Sequence, residues 1–302
     1  MRVTRVTRPL AGAVGAVGAV LCLAVTAGCA QPVTGRPGAD REAAEQATTD
    51  AVKAGIDAFQ DHFTNYGDEH ARVYNYLNYG DTKITTEHES FKVGDPPAIL
   101  LKRRFSSDGD WSLRLTPPES TVDYIELDED HESLAPTPWV SVPSTFAQGF
   151  ETCFLLTAWA ACNVDASVGQ TTLDAPDEQP NEARATDDGF EVTTGALLGV
   201  MLDEGIVSVP EDKRDGLTER MLNTVVPVTI RLDHSMKFTG FVVRGTVTDG
   251  DATKLEIQLE YEVLGEAQES DIPDVPADKD ITVIPDQAAA DEFQTKLNDR
   301  TP

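Results

Sequence analysis

Val226-Pro227-Val228-Thr229-Ile230-Arg231-Leu232 opens the stretch that decides the fold, and Asp233-His234-Ser235 turns the chain after it. Residues 238–248 return and Asp249-Gly250 turns again. Leu255-Glu256-Ile257-Gln258-Leu259-Glu260-Tyr261-Glu262-Val263 then completes it. In the first and last segments apolar and polar residues alternate with a period of two, so each sends one row of side chains into a core and one into water. Tight turns bring consecutive strands back beside one another. The reading is a three-stranded antiparallel meander with one wet face.

Working outward, 84–93 and 99–105 read as strands separated by Gly94-Asp95-Pro96-Pro97. Asp108-Gly109 makes a hairpin turn into Trp111, Leu113 and Leu115, which alternate with Ser112 and Arg114. Residues 121–127 and 139–142 are two further short strands. Residues 40–65 carry Ala44, Ala47, Ala51, Val52, Ala54, Ile56, Phe59 and Phe63 at roughly three- and four-residue steps, which predicts a helix that Gly55 weakens. Residues 150–164 are strongly apolar, and 174–188 form an acidic, Pro-containing loop. Thr193 and Thr194 are expected to cap a helix running through Leu197–Leu202 to Gly205. Ser208 and Pro210 are expected to open another that reaches about 223, and 287–297 a last one. Tyr66, Tyr74, Tyr76 and Tyr79 either line a binding face or, more commonly, close a small core under a loop. Strands, helices and strands again, with few βαβ alternations, define an α+β fold on an antiparallel sheet.

The N-terminus carries an address. Arg2, Arg5 and Arg8 precede an apolar run over 10–25, too short for a membrane span. Thr26-Ala27-Gly28-Cys29 follows. The pattern fits a secretory signal over 1–28, and the small residues before Cys29 resemble the lipobox of bacterial lipoproteins, with Thr26 where Leu is commonest. That resemblance implies cleavage before Cys29 and a diacylglycerol on its thiol, hence an extracytoplasmic protein anchored to the bacterial cell membrane by lipid. An ordinary signal peptide with a chance cysteine is the alternative. Residues 29–39 then form a tether, and 40–302 a single domain. Cys153 and Cys162 remain, in a compartment where disulfides persist. They read as a structural disulfide; a catalytic thiol or a metal site has no Cys-x-x-Cys and no histidine nearer than His131 to support it. Nine residues of straight helix rise about 13.5 Å, whereas paired Cα atoms stand within about 7 Å. Residues 154–161 therefore cannot be one uninterrupted helix.

The chain holds 24 Lys and Arg against 52 Asp and Glu, a net charge of −28. Loss of 1–28 removes three arginines and no acid, which deepens it to −31. Such a chain is no partner for nucleic acid, whose phosphates demand cations. Anionic head groups repel it too, so membrane contact is left to the lipid anchor. No nucleophile elbow, zinc-binding helix, phosphate loop or dinucleotide fingerprint occurs. His62, His70, His88, His131 and His234 show no metal spacing. Asp128-Glu129-Asp130-His131-Glu132 is a solvated loop or, less readily, a cation site, and it lacks the ligand alternation of an EF-hand. Neither catalysis nor a cofactor is expected. Phe154, Leu155, Trp159, Leu198, Met201 and Leu202 could wall a cavity between helix and sheet, or could be ordinary core.

The order of elements resembles the LppX/LprG group of actinobacterial lipoproteins and the related LolA-like carriers. The likeness lies in Cys29 with its tether, the helix at 40–65, and Val122-Asp123-Tyr124-Ile125 leading to Pro138-Trp139-Val140-Ser141-Val142-Pro143. Central helices and the closing meander with Tyr261-Glu262-Val263-Leu264-Gly265 complete it. The resemblance implies a strongly curved, half-barrel-like antiparallel sheet with helices in its concave side and a space between them for acyl chains. The cysteine pair and the acidic insert at 174–188 depart from that pattern. The expected function is to bind or carry a lipid or other hydrophobic ligand. An interaction or accessory module of an envelope transporter or secretion complex, without a ligand, is the alternative, and an envelope hydrolase the third reading.

Overall fold

In the computed structural model residues 41–104, 111–250 and 253–299 are described. The signal segment, Cys29, the tether and the Asp108-Gly109 turn lie outside them. Helix α1 (Arg41–Thr64) leads into strands β1 (Glu69–Tyr79), β2 (Thr82–Val93), β3 (Ala98–Arg104), β4 (Ser112–Thr116), β5 (Val122–Glu126) and β6 (Trp139–Pro143). A 3-10 turn at Thr152–Phe154 precedes α2 (Leu156–Asp174), followed by β7 (Glu182–Thr186) and β8 (Gly189–Leu197). Three short helices, α3 (Leu198–Asp203), α4 (Glu211–Arg214) and α5 (Glu219–Leu222), lead to β9 (Val225–Leu232), β10 (Phe238–Asp249) and β11 (Thr253–Gly265). The chain ends with β12 (Ile281–Val283) and α6 (Gln287–Asp299).

All twelve strands share one open sheet, ordered β12-β6-β5-β4-β3-β2-β1-β11-β10-β9-β8-β7. Pairing is antiparallel except that β12 runs parallel to β6. The meander stands as expected. Val226, Val228, Ile230 and Leu232 are each no more than 2% exposed, and Leu255, Ile257, Leu259 and Tyr261 are buried. Burying such a side chain is worth about 1.5–3 kcal/mol, so this alternation alone commits the register.

Register pairs trace one face across the sheet: Val192, Ile230, Phe241, Tyr261, Val73, His88, Arg103 and Ser112 lie side by side, and Arg114, Ile125 and Val140 continue it. The longer helices cover this face. Phe59 of α1 packs on Phe238 and Phe241. Thr157 of α2 shares a buried 2.7 Å hydrogen bond with Ser90. Ala290 and Phe293 of α6 join Ile125, Val140 and Val142 in a second core. On the opposite face Ala267 and Ile272 cover Phe91 and Leu100, and beside them runs a ladder of charges that includes Arg72–Glu262, Arg104–Glu87 and Arg231–Glu260.

Several local expectations are corrected. The four tyrosines divide: Tyr66, in the loop after α1, packs on the small core of Ile99, Leu155 and Ala158 as expected, whereas Tyr74, Tyr76 and Tyr79 lie on β1, the strand that joins the two halves of the sheet. Its inward row, Ala71, Val73, Leu77 and Tyr79, has the period of a strand, and tyrosine itself favours a pleated surface. Thr193 and Thr194 cap nothing, because β8 continues through them to Leu197. There Val192, Thr194 and Ala196 are buried beside β9, and the helix starts only at Leu198. The 174–188 loop contains β7. The helix expected over 210–223 is two short turns, and Thr218 caps the second by accepting from the Met221 amide.

Candidate functional site

The helix-bearing face changes character along its width. From β8 to β1 its row is apolar, and beyond β1 it turns to His88, Arg103, Ser112 and Arg114. The ring of His88 is pushed down to about 3 by burial, reinforced by the positive Arg103. Burial also pushes Arg103 down to about 10. Burial raises the free energy of the charged form, so both shifts have the sign that desolvation demands.

Beneath α6 and the 144–156 segment this polar sector opens into two adjoining clefts that share Arg114 and Gln294. The outer one has a volume of about 660 Å³, with Val142, Ser144, Gln148, Phe154, Gln287 and Asp291 among its walls. The inner one, about 90 Å³, lies among Leu101, Arg103, Ile125, Leu156 and Leu297. Arg114 stands where they meet. Its Nε donates to Asp123 at 2.8 Å and its Nη2 to the same carboxylate oxygen and, at 3.3 Å, to Thr145. Asp123 is fully buried, and its second oxygen accepts from Thr116 at 2.7 Å. The Arg114 side chain is about one-third exposed. Its direction is thus fixed from below while its outer part faces the clefts.

The cysteine pair shapes one wall. Cys153 and Cys162 are bonded, with Cα atoms 5.9 Å apart. The contact is possible because Leu155 is extended between the 3-10 turn and α2, the interruption that the spacing requires. Phe154 is thereby turned to the outer cleft and is 56% exposed. Opposite, α6 is held at its end by His131, whose Nε2 lies 3.0 Å from the Leu297 carbonyl while Asp128 engages Nδ1.

The six residues expected to wall one cavity do not come together. Phe154 borders the outer cleft. Leu155 is sealed in a small core with Ile99 and Ala158. Leu198 and Met201 are fully buried in the main core, with Leu202 half-buried against it. Trp159 lies at the surface, where its ring edge covers Gly205. Phe154 and Leu155 lie in the turn before α2 and face opposite ways, Trp159 is on the outer side of α2, and Leu198, Met201 and Leu202 belong to α3, which packs into the main core instead. Arg114, Asp123 and the α6 residues escaped the sequence reading. Ser112 and Arg114 look like the wet row of β4, but Leu113 and Leu115 face the Ala267–Ile272 side and Arg114 the helices. Within 128–132, Asp128 and His131 bind one another and His131 reaches α6, and among the described residues no group of three or more His, Cys, Asp or Glu side chains is placed to hold a metal.

No family model matches this chain, and no curated protein matches its sequence. Among solved structures it is similar to the lipoprotein LppX of Mycobacterium tuberculosis, with 11% identity over 71% of this chain and 94% of that one, at a TM-score of 0.30. It is similar as well to an uncharacterized conserved protein from Thermus thermophilus, with 7% identity over 80% and 99% of the two chains and a TM-score of 0.28. Among the described residues no helix is long and apolar enough to cross a membrane.

Proposed function

We propose that this is a cell-envelope lipoprotein, held at the membrane by Cys29, that binds or carries a lipid or similar hydrophobic ligand without chemically altering it. The observation that carries the reading is the pair of clefts meeting at Arg114. Their combined walls offer apolar side chains from the sheet, α2 and α6 beside the rigidly held Arg114, and the 660 Å³ of the outer cleft lies within the range of about 300–1,000 Å³ usual for ligand sites. A site of that composition takes an amphiphile, with its apolar part against Ile125, Leu156 and Leu297.

The test is native mass spectrometry with organic extraction on the secreted Cys29→Ala form of the chain. A lipid recovered at near one-to-one amount supports the carrier and names its ligand class. An empty mass, unchanged after incubation with envelope lipids, overturns it and turns attention to a role in docking an envelope transporter or secretion partner.

A further inference from the structure

We infer that the outer cleft selects its ligand by the headgroup, and that this headgroup is zwitterionic, with an acidic phosphodiester seated on Arg114 and an ammonium facing Asp291 and Glu151. The inference rests on the ligand-binding reading above and narrows it to a class of amphiphile.

Arg114 is a built anchor. Asp123 is withdrawn completely from water and satisfied on both oxygens, by Arg114 on one side and Thr116 on the other. A buried ion pair adds little to stability by itself, and here its geometric effect is to hold the guanidinium plane. With Nε and Nη2 so engaged, Nη1 carries no hydrogen bond among the described residues. A guanidinium fixed in this way offers phosphate or carboxylate oxygens a preorganised donor edge.

The charge around that anchor decides which acid fits. Asp123 already balances Arg114, and the outer cleft adds Glu151 and Asp291 with no second cation among its walls. A ligand of net negative charge is therefore opposed by the two rim carboxylates. A neutral glyceride leaves Glu151 and Asp291 without a charged partner and offers Nη1 of Arg114 no anionic acceptor. An ammonium-bearing phosphodiester meets all three. Asp291, on α6, already accepts from Gln287 at 2.8 Å, which holds its carboxylate in place. Phe154 presents an exposed ring on the same wall as Glu151, and an aromatic face attracts an ammonium in its own right.

The experiment measures binding of four probes to the secreted Cys29→Ala chain. They are lysophosphatidylethanolamine, lysophosphatidylglycerol and a monoacylglycerol of the same chain length, and soluble O-phosphoethanolamine. The zwitterionic lysolipid is expected to bind at least tenfold tighter than the other three. Asp291→Asn with Glu151→Gln, both at the surface, is expected to bring the phosphatidylglycerol probe to within threefold of it. Arg114→Met is expected to cost the zwitterion at least tenfold. Three lysolipid and glyceride affinities within threefold of one another in the unaltered chain overturn headgroup selection and leave the ligand-binding reading standing. O-phosphoethanolamine binding as tightly as the lysolipid overturns the acyl part and keeps the zwitterion. Failure of every probe to bind overturns both. The rim variant keeps the outcome readable should Arg114→Met fold poorly.

Discussion

Arg114 and His88 lie in the same polar sector, but their energetics differ. Breaking a buried pair by removing one partner strands the other charge, so Arg114→Met leaves Asp123 buried with only Thr116 and should cost about 3 kcal/mol of unfolding free energy. Arg114→Met with Asp123→Leu should recover most of that loss, because no charge is then left behind. Urea titration of the two variants makes the comparison, and an equal loss in both would show that Asp123 is not the cause. His88 acts through protons. Burial holds its folded pKa near 3 against about 6.5 in an unfolded chain. Between those values the unfolded state binds the proton and the folded state does not. The stability is therefore intact above about pH 6.5 and falls with acidification, by up to about 1.4 kcal/mol per pH unit for this one group. His88→Phe should flatten the decline from pH 6 to pH 4 relative to the parent. Parallel curves would mean that His88 takes up its proton equally in the folded and unfolded states.

Among the elements, α1 shows how a local preference is overridden. Gly55 is a poor helix former, worth about 1 kcal/mol less than alanine, and the sequence reading counts it against the helix. Packing explains it. A Cβ at Gly55 would lie 2.9 Å from Cγ2 and 3.0 Å from Cβ of Val192, a buried, β-branched residue that cannot swing aside without moving β8. Overpacking of this kind costs about 1–3 kcal/mol, which exceeds the propensity gain. Gly55→Ala should therefore lower the thermal midpoint even though it improves the isolated helix, and a rise in the midpoint would show that α1 stands further from the sheet. The same competition accounts for what was legible elsewhere. Strands β9 to β11 could be read because their outward row is wet and their turns carry Asp and Gly. Strand β4 was found, but its facing was not, because both of its sides are covered. The end of β8 was mistaken for a helix cap because Thr193 and Thr194 suit either role, and only their neighbours on β9 decide.

Over the whole molecule the sheet is two consecutive runs of strands, β1 to β6 and β7 to β11, joined along β1 and β11, segments nearly two hundred residues apart in the chain, with β12 added beside β6. No local pattern announces that seam, and tyrosines hid the strand on one side of it, so the class of fold was legible and the joining of its two halves was not. The clefts share this origin. They lie where α6, from the end of the chain, meets β3 to β6, from its first half. A buried polar contact spans the seam. Tyr261, fully buried on β11, donates its hydroxyl to one oxygen of Glu69 on β1, and Nε2 of His62 on α1 stands 2.9 Å from the other. Tyr261→Phe preserves the ring stack with Phe241 and removes one donor to the buried Glu69 carboxylate, at a cost of about 1–3 kcal/mol. Because that loss falls on the joint between the halves, amide exchange should accelerate on both β1 and β11 while the β4–β5 pairing keeps its protection. Acceleration confined to β11 would show that the seam is held by its apolar pairs alone.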